Sequence, residues 1–318
     1  MTKPAILIPG RIHPRVETRL AETCEIITVA SADEPGLDAE TLARVRGAAV
    51  SGRFPASLMA VLPNLEIIGS FGVGYDGVDV AEAARRGVIV THTPDVLNDE
   101  VADTAVALLL NTVRRFPQAE AYLRVGRWEG EGAFPLSPLS LKGRRVGIHG
   151  LGRIGLEIAA RLLPFKVEIH YFSRHKRDGV PYVYHDSLKA LATAVDTLIS
   201  IVPSTPETVG AIDAEILKAL GPTGVLINVG RGATVNEDDL VKALTDGTIA
   251  AAGLDVYADE PRVSSGLLEL QNASLLPHVG SGSVATRDAM ADLVVDNLLT
   301  WFAKGEPLTP VPETPFRK

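Results

Sequence analysis

The 318-residue chain contains a single cysteine, Cys24, so no intrachain disulfide can form, which fits a reducing compartment. It has no run of about 18 consecutive apolar residues, the length that a membrane-spanning helix requires. The opening MTKPAILIPGRIHP carries one lysine and an apolar run too short for a signal-sequence core, closed by Pro9-Gly10. A cytoplasmic protein is therefore expected. Basic residues are not in excess: 31 Lys and Arg stand against 39 Asp and Glu, giving a formal net charge of -8 and a pI of about 5.4. Nucleic acids and anionic membranes both need a basic face, so neither is expected as a partner. A local basic pocket could still hold a small anion. No internal repeat on the scale of about 20–50 residues and no low-complexity segment interrupts the chain.

What is present is ordinary soluble composition, 46% hydrophobic and 22% charged, with length enough for two domains and two substantial cores. Residues 5–8, 25–29, 48–51, 67–70 and 88–90 read as strands, with helical patterns at 14–23, 39–46 and 80–86 between them. Such alternation predicts a parallel sheet with crossover helices. Asn98-Asp99-Glu100 reads as a helix start, with acids against the positive end of the dipole. The mostly apolar VADTAVALLLNTVRR after it predicts a helix buried on more than one face, packed between domains or subunits. A loop is expected over 126–142, then a second strand series at 145–149, 167–173, 182–184, 197–201, 225–229, 251–256 and 274–276, and a last helix over 284–303.

Strand 145–149 runs into Gly150-Leu151-Gly152-Arg153-Ile154-Gly155, a G-x-G-x-x-G followed by a helical pattern. Gly150 suits a tight turn, Gly152 lets backbone approach a pyrophosphate, and Gly155 lets helix and strand pack closely. Arg153 and Ile154 open the helix whose free N–H groups and dipole favour phosphate. A strand follows at βαβ distance, which separates a dinucleotide site from a mere glycine-rich turn. NAD sites usually end that strand with an acid for the ribose hydroxyl. This chain has Ser173-Arg174-His175-Lys176-Arg177 and no acid before Asp178. A hydroxyl and three fixed cations suit a 2′-phosphate, so NADP(H) is the preferred cofactor, with NAD(H) second. Ser173, Arg174 and Lys176 are the expected contacts; the ordinary alternative is a solvated basic loop.

Three later strands each end at one chemically suggestive residue: Arg231 in INVGRG, Glu260 in GLDVYADEP and His278 in LLPHVGS. Singly, each has a bland explanation as a surface ion pair, a solvated turn or a structural histidine. Together they gain weight, because the carboxyl ends of strands in one parallel sheet share an edge. Reducing a 2-keto acid needs a cation for the carboxylate and carbonyl, a hydride donor, and a general acid for the nascent alkoxide. Arg231 supplies the cation. His278 can be that acid, and Glu260 can accept from its other ring nitrogen, orienting the imidazole and favouring its charged form.

The segments SFGVGYDGVD, GLGRIG, INVGRG, AGLDVYADEP and LLPHVGSGS together resemble the D-isomer-specific 2-hydroxyacid dehydrogenase family over nearly the whole chain. Within it, the chain is most similar to NADPH-dependent hydroxypyruvate, glyoxylate and hydroxyphenylpyruvate reductases. The resemblance implies an α/β protein of two Rossmann-like or flavodoxin-like parallel-sheet domains with an interdomain cleft. Residues 1–98 plus 283–318 would bind substrate, and 99–282 would bind nucleotide. It implies that Arg231, Glu260 and His278 are catalytic and that Val73 and Gly74 offer backbone N–H groups to the substrate carboxylate. Thr104, Val202, Pro203, Val229, Asp255 and Gly280 would line the cofactor, with Asp255 near the nicotinamide amide. A homodimer joined through the nucleotide domains is implied; no metal site is expected. Reduction of larger keto acids, such as 2-ketogluconate or aryl pyruvates, and a non-catalytic cofactor sensor on the same fold are the alternatives. Substrate size would turn on residues 51–54, Tyr75, Phe134 and Ser281, with Arg53 either an extra anion contact or a surface residue.

Overall fold

A computed structural model describes residues 3–316. It divides into two units: residues up to Leu97 together with those from Ser283 onward, and Asn98–Gly282.

In the first unit β1 (Ala5–Pro9), β2 (Glu25–Val29), β3 (Val45–Val50), β4 (Ile67–Ser70) and β5 (Ile89–Thr91) form a parallel sheet in the order β2-β1-β3-β4-β5. This is a flavodoxin-like order. All five residues of β1 are buried, as befits a parallel strand covered on both faces. Its successive side chains serve opposite layers. Leu7 joins a core with Ala48, Leu58 and Ile68; Ile6 and Ile8 join another with Leu20, Val294 and Leu298. The second layer thus depends on the helix Val284–Lys304, which returns to this unit after the other is complete. Beyond that helix the chain is strapped to β5. Leu308 and Thr309 donate their N–H groups to Oδ1 of the fully buried Asn297, both at 2.9 Å. Pro310 bridges Thr91, and the Val311 N–H donates to the Val90 carbonyl at 2.9 Å.

The second unit holds β6 (Arg145–His149), β7 (Glu168–Phe172), β8 (Val183–His185), β9 (Thr197–Ser200), β10 (Val225–Asn228), β11 (Ala251–Leu254) and β12 (Ala273–Leu275). All pairings are parallel, in the order β12-β11-β10-β9-β6-β7-β8. Strand order reverses between β6 and β9, and nucleotides bind outside the carboxyl ends at such a point. At the opposite edge Arg144, 7% exposed, pairs with Asp196 at 2.9 Å and donates to the Thr197 hydroxyl at 2.7 Å and the Thr223 carbonyl at 2.6 Å. Burial pulls its pKa below the usual arginine value.

The apolar helix Asn98–Arg114 packs within its own unit. It lies on β10, β11 and β12, and Gly253 makes room for it: a Cβ there would sit 2.6 Å from Thr112 Oγ1 and 2.8 Å from Leu108 Cγ. The segment expected as a loop from 126 carries a one-turn helix, Arg127–Glu131. Gly126 and Gly132, both at positive φ, bound it, and an Arg127–Glu131 ion pair of 2.7 Å staples its turn. The helix Phe116–Arg124 precedes it. Among the described residues no helix is long and apolar enough to cross a membrane.

Candidate active site

The turn after β6 takes the shape that its glycines permit. Gly150 has φ 103°, and a Cβ there would lie 2.8 Å from Val202 Cγ1. A Cβ on Gly155 would lie 2.2 Å from the Gly150 carbonyl oxygen, so helix Arg153–Leu162 can approach the turn only without one. Gly152 differs, since a Cβ there would meet nothing within 4 Å. Space beside its backbone is what a pyrophosphate needs, and no side chain caps the helix that Gly152 begins. The turn therefore fits a dinucleotide.

The basic loop after β7 is clipped to that turn at Leu151. Ser173 Oγ accepts from the Leu151 N–H at 2.8 Å, and the Arg177 guanidinium donates to the Leu151 carbonyl at 3.3 Å. Tyr171 fixes the loop's other end, its hydroxyl accepting from the Arg177 N–H at 2.9 Å. Arg174, His175 and Lys176 stay exposed and make no hydrogen bond or ion pair among the described residues. Ser173 thus shapes the turn, with its hydroxyl proton still to give, while Arg174 and Lys176 keep their donors.

At the other end of the sheet three adjacent strand ends carry the predicted arginine, glutamate and histidine. Asn228 closes β10, fully buried in an apolar strand. Its Oδ1 accepts from the Gly230 N–H at 3.1 Å and its Nδ2 donates to the Arg231 carbonyl at 2.9 Å. The Thr234 hydroxyl donates to the same carbonyl at 2.7 Å. This clamp fixes the backbone of Arg231. The next residue presses on the neighbouring loop, for a Cβ on Gly232 would lie 1.9 Å from the Tyr257 carbonyl carbon.

After β11 the loop is held by Asp255, 1% exposed, whose carboxylate accepts from the Val279 N–H at 2.7 Å and the Gly280 N–H at 2.8 Å. Burial raises its pKa, opposed by those two amides. Tyr257 donates to the Leu276 carbonyl at 2.9 Å, and burial pushes its hydroxyl up to about 12, so it stays a donor. Glu260 Oε1 accepts from the Tyr257 N–H at 3.0 Å, and its Oε2 meets His278 Nδ1 at 2.6 Å. His278, after β12, has φ 52°, a region that costs a side-chain-bearing residue energy, and its N–H donates to the Asp255 carbonyl at 2.8 Å. The ring is half-exposed and its Nδ1 is committed to the carboxylate. Nε2 is the ring nitrogen that this contact leaves uncommitted.

The remaining predicted residues distribute as follows. Val202 and Pro203 follow β9, and Val229, buried, follows β10. The Thr104 hydroxyl donates to the Gly280 carbonyl at 3.2 Å, so two expected cofactor contacts also bind each other. In the first unit, Val73 and Gly74 lie in the loop after β4, and neither N–H has an acceptor among the described residues. Arg53 pairs with Asp33 at 3.5 Å on the surface. Phe134 packs edge-on against Tyr122. Arg177, counted in the sequence among the loop's three fixed cations, donates to the Leu151 carbonyl. Asn228, Tyr257 and Thr234 went unnoticed in the sequence. Only Asn228 left a signal there, as a lone amide inside the run VLINV.

A glycine turn shaped for a dinucleotide, with an arginine and a histidine–carboxylate couple on the same sheet edge, defines a nucleotide-dependent oxidoreductase. Residues 106–280 match the family model for the D-isomer specific 2-hydroxyacid dehydrogenase NAD binding domain. Hydroxyphenylpyruvate reductase of Plectranthus scutellarioides is 48% identical over 282 residues, 89% of each chain. A 2-ketogluconate reductase of Gluconobacter oxydans is 39% identical over 98% of this chain and 99% of its own. The crystal structure of an NADPH-dependent glyoxylate/hydroxypyruvate reductase from Sinorhizobium meliloti, in complex with NADP and malonate, has a TM-score of 0.98. It is 60% identical and covers 100% of this chain and 99% of that one. The chain belongs to the D-isomer specific 2-hydroxyacid dehydrogenase family and is an enzyme of that family.

Proposed function

We propose that the enzyme is an NADPH-dependent reductase of small 2-keto acids, hydroxypyruvate and glyoxylate, which it converts to 2-hydroxy acids, of the D configuration where the product is chiral. The observation that carries this is the 2.6 Å contact between His278 Nδ1 and Glu260, at the carboxyl edge of a sheet with a dinucleotide turn. In this reading residues 99–282 bind the nucleotide and residues 1–98 with 283–318 bind the substrate. The protein works in the cytoplasm as a homodimer.

Bound NADPH would supply the hydride. Gly150, Gly152, Arg153, Ile154 and Gly155 hold its pyrophosphate, and Thr104, Val202, Pro203, Val229, Asp255 and Gly280 line the rest. Preference for NADPH over NADH is supported by Ser173 in place of an acid after β7, and by the exposed Arg174 and Lys176. The Val73 and Gly74 N–H groups receive the substrate carboxylate, and Arg231 holds it and polarises the carbonyl. His278 donates a proton from Nε2 to the developing alkoxide, while Glu260 holds Nδ1–H and stabilises the imidazolium. A second reading, reduction of larger keto acids, is favoured by the similarity to the 2-ketogluconate and hydroxyphenylpyruvate reductases.

The test is NADPH and NADH oxidation with glyoxylate, hydroxypyruvate, 2-ketogluconate and an aryl pyruvate. The expected result is the highest kcat/KM for the two small acids with NADPH. Higher values for the larger acids would select the second reading. Inactivity across the panel with NADPH still bound would make the protein a sensor.

A further inference from the structure

We propose that His92 is a positioning residue for the reaction, aiming the backbone donors that receive the substrate carboxylate. The inference rests on the role given above to Val73 and Gly74. Its basis is a grip on the loop after β4. His92 Nδ1 lies 2.9 Å from the Val73 carbonyl oxygen, and the Thr93 N–H donates to the Gly72 carbonyl at 2.9 Å.

A trans peptide is planar, with its C=O and N–H pointing in opposite directions. The Gly72 carbonyl shares a plane with the Val73 N–H, and the Val73 carbonyl shares the next with the Gly74 N–H. Holding both carbonyls therefore fixes the direction of both donors. Neither of those two N–H groups has an acceptor among the described residues. A carbonyl can only accept, so the contact requires the proton of His92 on Nδ1.

The grip is anchored from behind. The Thr309 hydroxyl donates to the His92 carbonyl at 2.6 Å, and the His92 N–H donates to the Thr309 carbonyl at 3.2 Å. Thr309 is itself held by Asn297, whose Nδ2 donates to its hydroxyl at 2.9 Å. A second tie runs beside it. The Tyr75 ring meets the His92 ring edge-on at 5.3 Å, and its hydroxyl donates to Glu313 at 3.0 Å. The strap that follows the last helix thus reaches the carboxylate loop through one imidazole.

The experiment compares wild type with His92→Leu, His92→Asn and His92→Gln, using NADPH and hydroxypyruvate. The Leu variant loses the donor, and KM for hydroxypyruvate should rise by about tenfold or more, the usual worth of a hydrogen bond that orients a charged ligand. NADPH affinity, read by fluorescence titration, should not change. Asn can place an N–H where Nδ1–H stands and should recover most of the loss; Gln, one methylene longer, should not. In wild type, ¹⁵N NMR of the ring should show the Nδ1–H tautomer. An unchanged KM in His92→Leu, or an Asn variant no better than Gln, would overturn the proposal. If the Leu variant fails to fold, the comparison of Asn with Gln decides it alone. A wild type inactive on the whole panel sinks the catalytic reading and this inference with it, whereas an active wild type with indifferent variants sinks only the inference.

Discussion

The two sheets obey the same packing rule and carry different equipment at their carboxyl edges. The edge of β6 to β12 presents side chains, Arg231, Glu260 and His278, each in the loop that follows its own strand. The edge of β1 to β5 presents backbone, the N–H groups of Val73 and Gly74, which have no acceptor among the described residues. The bracing differs to match. Side-chain chemistry is supported by buried polar groups, Asn228 and Asp255, at 0% and 1% exposure, which tie loops together through amides. The backbone donors need only two peptide planes turned the right way. A parallel sheet is thus neutral about chemistry, and what stands on its rim decides.

The comparison can be broken most directly at His278. His278→Ala should lower kcat by about 10²- to 10⁴-fold, the share of a general acid, measured by steady-state NADPH oxidation. Near-normal turnover would mean that the nucleotide sheet contributes no side-chain acid at that point. Arg144 sharpens the contrast between the two ends of one sheet. It sits at the amino-terminal edge, so Arg144→Met should cost stability and leave kcat/KM per folded molecule intact. Asp196, its partner, is a quarter exposed, so the cost should be about 2–4 kcal/mol, somewhat below a fully buried pair. Denaturant titration would read it, and a large loss of activity without loss of stability would contradict the division of labour. The smallest expected effect is at the basic loop. Arg174→Ala should raise KM for NADPH by about tenfold, as for one charge-assisted bond, with little change for NADH. Equal effects on both would remove the phosphate from that loop.

Much of this was legible in the chain. Every strand of both sheets has a counterpart in the sequence pattern, because parallel strands buried on both faces read as short apolar runs. The edges were less clear. β3 begins at Val45, three residues earlier than expected, because Arg46 and Gly47 interrupt the apolar run while the backbone continues. The preceding helix accordingly ends at Arg44. The helix Arg127–Glu131 was missed because its glycines are its boundaries, and glycine reads as loop. At the site, Arg231, Glu260 and His278 stood out because strand ends are where ligands bind. Asn228, Tyr257 and Thr234 did not, because their work is to bond loops distant in sequence, and a residue's partners are not written beside it.

The sheet of β1 to β5 is made of residues that leave the ribosome before the other unit, yet its second core layer awaits Val294 and Leu298, and its last strand awaits the strap at Pro310 and Val311. The unit between, Asn98–Gly282, is wholly synthesised before either arrives. During translation the half that would hold the nucleotide can finish while the older half stays open, so a stalled or truncated chain leaves the early sheet with a bare apolar face.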